Sequence, residues 1–277
     1  MQENIQKLNN NSLEVMINVL TGQIVSVKYK NKEYFHGGGK PKNMKNEHDL
    51  IPGTWPNSML YMFPIIGKNS EGMSDADKYS LGSHGISRAI TWIDSGLNRS
   101  EEQILLMQQY GGSNISNPRF KQGKGPENLN FLPYNLEQGI FVKDNSISLR
   151  QNIQNKSKEK MYYKFGAHPS FIFDPNNINK SYFLVGKNRQ KLGLKEMINQ
   201  SQGKAHMFNN SVEKIMFIDE IAEKTISLET ENFGYMMLWT PGLKTEVICM
   251  EPTTSLEDYK VLEPEEIAIY NFIMKFS

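Results

Sequence analysis

The chain has 277 residues, and its 31 Lys and Arg against 30 Asp and Glu leave a net charge of +1. That balance supplies no field to draw in nucleic acid or an anionic membrane surface. The single cysteine, Cys249, excludes an intrachain disulfide and any cysteine-rich zinc site. The first twenty residues carry no basic flank followed by an apolar run, and apolar stretches such as Ile267–Met274 fall well short of the ~20 residues a bilayer crossing needs. A soluble, cytoplasmic protein in a reducing compartment is expected.

In chain order, Leu13, Val15, Ile17 and Val19 alternate with Glu14, Met16 and Asn18, the period-two pattern of a half-buried strand. Thr21-Gly22-Gln23 turns the chain into a second alternating run, Ile24 to Tyr29, so the opening reads as a hairpin. Further strand-like runs include Gln103–Gln109, Ser146–Ile153, Tyr162–Phe165, Thr225–Glu229, Tyr235–Trp239, Glu246–Met250 and Ile267–Lys275, separated by Gly, Pro, Asn and Asp clusters. Helical pattern is confined to Leu192–Asn199 and Ser255–Leu262. His36–Pro56 and Gly111–Pro133 read as long loops. Strands of one character lie on both sides of each loop and no long period repeats, so residues 1–277 are expected to form one large antiparallel β-sandwich domain.

Three segments combine reactive groups with turn residues: Gly82-Ser83-His84-Gly85-Ile86-Ser87-Arg88, Gly166-Ala167-His168-Pro169-Ser170-Phe171, and Cys249-Met250-Glu251-Pro252-Thr253-Thr254. A proline after His168 and after Glu251 biases both residues toward extended backbone and marks strand ends, where side chains can converge on a cleft. Two imidazoles and a carboxylate suit general acid/base chemistry, although a histidine beside proline also serves as a hydrogen-bonded structural residue. Cys249 packs within its strand, and being two residues from Glu251 it would face the same way. His36, His48 and His206 show no ligand spacing to one another, and the triplet Gly37-Gly38-Gly39 lacks the context of a phosphate-binding loop.

These segments, together with Phe63-Pro64-Ile65-Ile66-Gly67-Lys68 and Trp92, occur in an order and spacing that resemble the aldose 1-epimerase (galactose mutarotase-like) family, most closely its LacX-type branch, from about Ser12 to the C-terminus. The resemblance implies a galactose mutarotase-like supersandwich that interconverts the α and β anomers of an aldose, free or phosphorylated, without metal or organic cofactor. A non-catalytic sugar-binding or regulatory protein on the same fold is the alternative.

Position by position, Glu251 resembles the family's general base, His168 its general acid and His84 a second histidine near the sugar's ring oxygen. Those roles call for ionised Glu251 and protonated His168, which mutual attraction would favour. Asp219 resembles an acidic sugar ligand, with Glu220 able to take that place. Arg88 either binds a hydroxyl or an anionic substituent or braces its loop. Trp92 and Trp239 either offer a ring face to the sugar or pack in the core. Lys68 stands where the family often has arginine, replacing a planar fork by a single ammonium.

Overall fold

Alternating apolar and polar side chains let a strand bury one face and wet the other, and most of this chain follows that rule. The computed structural model describes residues 4–35, 59–67, 79–118, 120, 125–201, 204–208, 212–242, 246–255 and 257–277. Among them, the strands form antiparallel sheets of nine, six and four strands and two two-stranded pairs. The fold is an all-β antiparallel sandwich.

The nine-stranded sheet is centred on Ile267–Phe276, flanked by Lys224–Glu231 and Ser146–Asn155, the latter paired in turn with Tyr134–Lys143. The six-stranded sheet runs His206–Phe208, Tyr235–Trp239, Val247–Thr253, Gly166–His168 and Leu60–Met62, with Ser170–Ile172 also paired to Val247–Thr253. Leu13–Asn18 and Gln23–Tyr29 make the expected hairpin at the heart of the four-stranded sheet. One apolar core joins all three sheets, with Val15 and Val27, Leu136 and Phe272, and Phe171 and Met250 among its members. The Phe63 and Tyr134 rings meet edge to face at 4.8 Å, and the buried hydroxyls of Tyr163 and Tyr270 bond at 2.6 Å. Each large apolar side chain buried there contributes roughly 1.5–3 kcal/mol.

The strand that positions the site is Val247–Thr253, buried at every position. Ile248 and Met250 enter the main core, so Cys249, Glu251 and Thr253 face the other way. Laterally paired residues share a face, and the register sets Glu251 beside Met237, Cys249 beside Trp239, His168 beside Leu60 and Gly166 beside Met62. Leu60, Met62 and Met237 accordingly form a small apolar cluster of their own, separate from the core.

Several expectations need correction. Ser255–Leu262 is not the expected helix: Lys260–Leu262 is a strand paired with Met161–Tyr163, its backbone groups bonded to that strand and Leu262 buried. The helix is Leu194–Ser201, because Leu192 belongs to the strand Gln190–Gly193 paired with Ser181–Val185. The strand of Glu251 continues through Pro252 to Thr253, with Pro252 opposite Met236. Gly111–Pro133 contains a small strand pair, Ile115–Ser116 with Asn128–Leu129. His36–Pro56 lies outside the described residues, and with it the glycine triplet, His36 and His48.

Two glycines permit the close approaches that bring the site together. Gly85, at φ +82°, would place a Cβ 2.0 Å from the Phe63 carbonyl oxygen, while at Gly166 a Cβ would come 2.7 Å from the Met62 methyl and 3.0 Å from Thr253 Cγ2. The methionine methyl can rotate away; the carbonyl cannot. Gly166→Ala is therefore expected to lower stability by about 1–3 kcal/mol, and Gly85→Ala by more than about 4 kcal/mol or to prevent folding. Urea unfolding of the two variants checks the order.

Candidate active site

Strand Gly166–His168 ends at His168, wedged between Leu60–Met62 and Val247–Thr253. This brings His168 Nε2 to 3.2 Å from Glu251 Oε1, although 83 residues separate them in sequence. The two side chains are 6% and 3% exposed. Beside His168, edge to face, stand the rings of His84 and Trp239, each with its centroid 6.0 Å away. Trp239 is half-buried at the site, whereas Trp92 is a core residue packed near Tyr61.

His84 arrives on a loop held by its own backbone. It adopts φ +64°, a left-handed conformation uncommon for a side-chain-bearing residue. Its N–H donates to the Gly67 carbonyl at 2.6 Å, and its carbonyl accepts from Phe63 N–H at 3.2 Å. In return Gly67 N–H donates to His84 Nδ1 at 3.1 Å. With Nδ1 accepting, the neutral ring carries its proton on Nε2.

Four residues on, Arg88 sits in the short 3-10 turn Ser87–Ala89. It is 8% exposed, and its Nη1 reaches the Ser83 carbonyl at 3.5 Å. That contact braces the histidine loop, and the Arg88 charge is also felt at His168. The turn is fixed from the core by Gln108, a residue that sequence reading passed over. Its Nε2 donates to the Ser87 and Ile90 carbonyls at 2.8 Å each, and its Oε1 accepts from Tyr134 at 3.1 Å. The available signal was a glutamine on the apolar face of Ile104, Leu106 and Tyr110.

The electrostatics differ from the expectation of a stabilised ion pair. Burial pushes the Glu251 carboxyl up to about 8. Burial likewise pulls the His168 imidazole down to about 4, with the positive charge of Arg88 adding to the effect. Loss of water disfavours both charges more than their attraction restores. Near neutrality the carboxyl therefore keeps its proton beside a neutral imidazole, so that the pair holds one titratable proton.

The remaining candidates are not gathered here. Asp219 ends the strand Lys214–Asp219 in the nine-stranded sheet. Its Oδ1 accepts from Ile221 N–H at 3.1 Å and Ala222 N–H at 3.0 Å, and Asn177 Nδ2 contacts its two oxygens at 3.0 and 3.1 Å. It is 1% exposed, so its carboxylate serves that turn rather than a sugar. Glu220, next to it, points to solvent. The His206 ring lies against that of Phe208, centroids 4.8 Å apart and planes tilted by 58°, and Lys68 lies outside the described residues. For a metal ion, His168, Cys249 and Glu251 are the group of potential ligands among the described residues, their ligand atoms all within 4.8 Å of one another.

Gln108→Leu keeps the volume but leaves two carbonyls and the Tyr134 hydroxyl without their partner. Each such loss costs about 1–3 kcal/mol, so the variant is expected to lose at least about 2 kcal/mol by urea denaturation, with the Ser87–Ile90 segment showing faster amide exchange.

No family model and no curated protein sequence matches the chain. Solved structures do. A galactose mutarotase-like protein from Lactobacillus casei superposes with a TM-score of 0.74 at 16% identity, covering 99% of this chain and 100% of that one. A galactose mutarotase related enzyme from Lactobacillus acidophilus gives 0.73 at 16% identity, over 99% and 97%. The GalM/aldose epimerase homologue from C. elegans gives 0.69 at 11% identity, over 99% and 98%. The chain thus has the galactose mutarotase-like fold.

Proposed function

We propose that this cleft is an aldose 1-epimerase site, interconverting the α and β anomers of a hexose or related aldose in free or phosphorylated form. The observation that carries the reading is the 3.2 Å contact between His168 Nε2 and Glu251 Oε1, with the His84 ring 6.0 Å from that of His168. Mutarotation needs a base for the anomeric hydroxyl and an acid for the ring oxygen, close enough to serve one hexose. The likeness to solved mutarotase-like structures supports the same reading.

In the productive complex, the Glu251 carboxylate takes the O1 proton while His168 Nε2–H gives a proton to the ring oxygen. The C1–O5 bond breaks and the aldehyde forms. Glu251 is then protonated and His168 neutral, which is the form that burial favours in the empty cleft. Rotation about C1–C2 presents the other aldehyde face, and the same proton transfers run backward to close the ring. Sugar hydroxyls bonded to the carboxylate stabilise its charged form, and His84 Nε2–H donates to a sugar oxygen.

The direct test is polarimetry on freshly dissolved α-glucose, α-galactose and other aldoses. Protein-dependent acceleration is expected with at least one of them, whereas binding without acceleration would indicate the non-catalytic alternative. Glu251→Gln and His168→Asn should each reduce the rate by about 10²–10⁴-fold. The double variant should be little worse than the poorer single one, because both residues serve one proton circuit.

The pH dependence follows from the proton count. Between about 4 and about 8 the pair holds the one proton that both steps share. Above that window Glu251 loses it and no acid remains; below it His168 gains a second and no base remains. In metal-free buffer, kcat/KM corrected for spontaneous mutarotation should be bell-shaped, with the alkaline limb near 8 belonging to the pair. A profile flat to pH 10 would contradict this assignment.

A further inference from the structure

Cys249 is fully buried and the anomerisation scheme leaves it unused, yet it faces the site. It lies two residues before Glu251 on one strand, so the two side chains share a face, and His168 reaches the same spot from the neighbouring strand. One ligand atom from each of the three lies within 4.8 Å of the other two. Ser170 Oγ, 3.4 Å from the sulfur, is the other polar neighbour of the thiol.

We propose that His168, Cys249 and Glu251 form a binding site for a thiophilic divalent cation, with zinc the best fit, and that its occupancy switches the cleft off. Nitrogen, sulfur and oxygen donors in one triangle make a three-ligand zinc set with a fourth position open. Zn–N and Zn–O bonds of about 2.0–2.2 Å and a Zn–S bond of about 2.3 Å put tetrahedral ligand atoms roughly 3.3–3.7 Å apart. The His168–Glu251 edge is already 3.2 Å, and with all three ligand atoms within 4.8 Å of one another the sulfur needs to approach by at most roughly 1–1.5 Å to complete that geometry. Magnesium and calcium, which take six or more oxygens, are excluded by the sulfur and by the small donor number.

Charge also favours the bound state. Zn²⁺ with one thiolate, one carboxylate and one neutral imidazole is electrically neutral, which suits a site this dry and offsets the opposition of the Arg88 charge. Binding is balanced by release to buffer of the thiol proton and of the proton held by the His168–Glu251 pair. The cation then occupies the lone pairs that would accept and deliver the sugar's protons. Binding itself does not depend on the proposed activity; only the inhibition rests on that reading.

The test titrates metal-free protein with Co²⁺ and follows the near-ultraviolet thiolate-to-cobalt absorption. The chain has one cysteine, so that band can arise from Cys249 alone. One Co²⁺ per chain, a thiolate band, visible absorption of four-coordinate cobalt and displacement by Zn²⁺ are expected. Zn²⁺ should also inhibit anomerisation reversibly, with a chelator restoring the rate. Cys249→Ala, checked for folding by circular dichroism, should keep the metal-free rate and require at least about 100-fold more Zn²⁺ for inhibition, since loss of even an outer partner costs 10–100-fold. Should that variant misfold, Cys249→Ser replaces it. Saturation without the thiolate band, or equal zinc sensitivity in wild type and variant, overturns the proposal. A thiolate band in a protein without anomerase activity leaves the metal site standing and overturns the proposed function instead.

Discussion

Burial of His168 against Glu251 is the constraint on which the rest of the site depends. A carboxyl and an imidazole in water would each follow its own charge preference. Here both lie on the outer face of a sheet whose inner face is the main core, and too little water reaches them to solvate a separated pair of charges. They therefore hold a proton in common. That same dryness would make proton exchange with a bound hydroxyl direct, without competition from solvent.

Such a pair needs a rigid support, and three devices supply it. The strand Val247–Thr253 is buried on both faces, which fixes Glu251 in register. Gly166 lets the strand of His168 pack against Met62 and Thr253. The loop of His84 and Arg88 is tied to the Phe63 carbonyl and the Gly67 backbone from one side and to Gln108 from the other. Gln108 is itself anchored through Tyr134, whose ring packs on Phe63, so the histidine loop is coupled to the core between the sheets.

The sheet's outer face also brings sulfur into the site. Cys249 comes to the pair because a period of two carries every second residue of that strand to the same side. The proposed proton-transfer pair and the proposed metal ligand set thus share His168 and Glu251, and a change at Cys249 would separate the two.

Much of this was legible in the sequence. Period-two alternation and turn residues identify the hairpin Leu13–Tyr29 and the all-β class, because strand burial is a local property of side-chain order. The motifs around His84, His168 and Glu251, together with the family resemblance, singled out these residues before their distances were known. Cys249 could be placed on the face of Glu251 by counting. What local pattern does not contain is pairing between distant strands and the water that such pairing excludes. The family resemblance offers Asp219 as a sugar ligand, with Glu220 or neither as the alternatives, and only the folded turn, with Asn177, Ile221 and Ala222 around it, shows the oxygens of Asp219 already engaged. Within the Ser255–Leu262 segment, Lys260–Leu262 is a strand because Met161–Tyr163 lies beside it to be paired. The proton of the His168–Glu251 pair was likewise decided by tertiary structure, since desolvation depends on every strand and loop packed around the two groups, and no spacing along the chain records it.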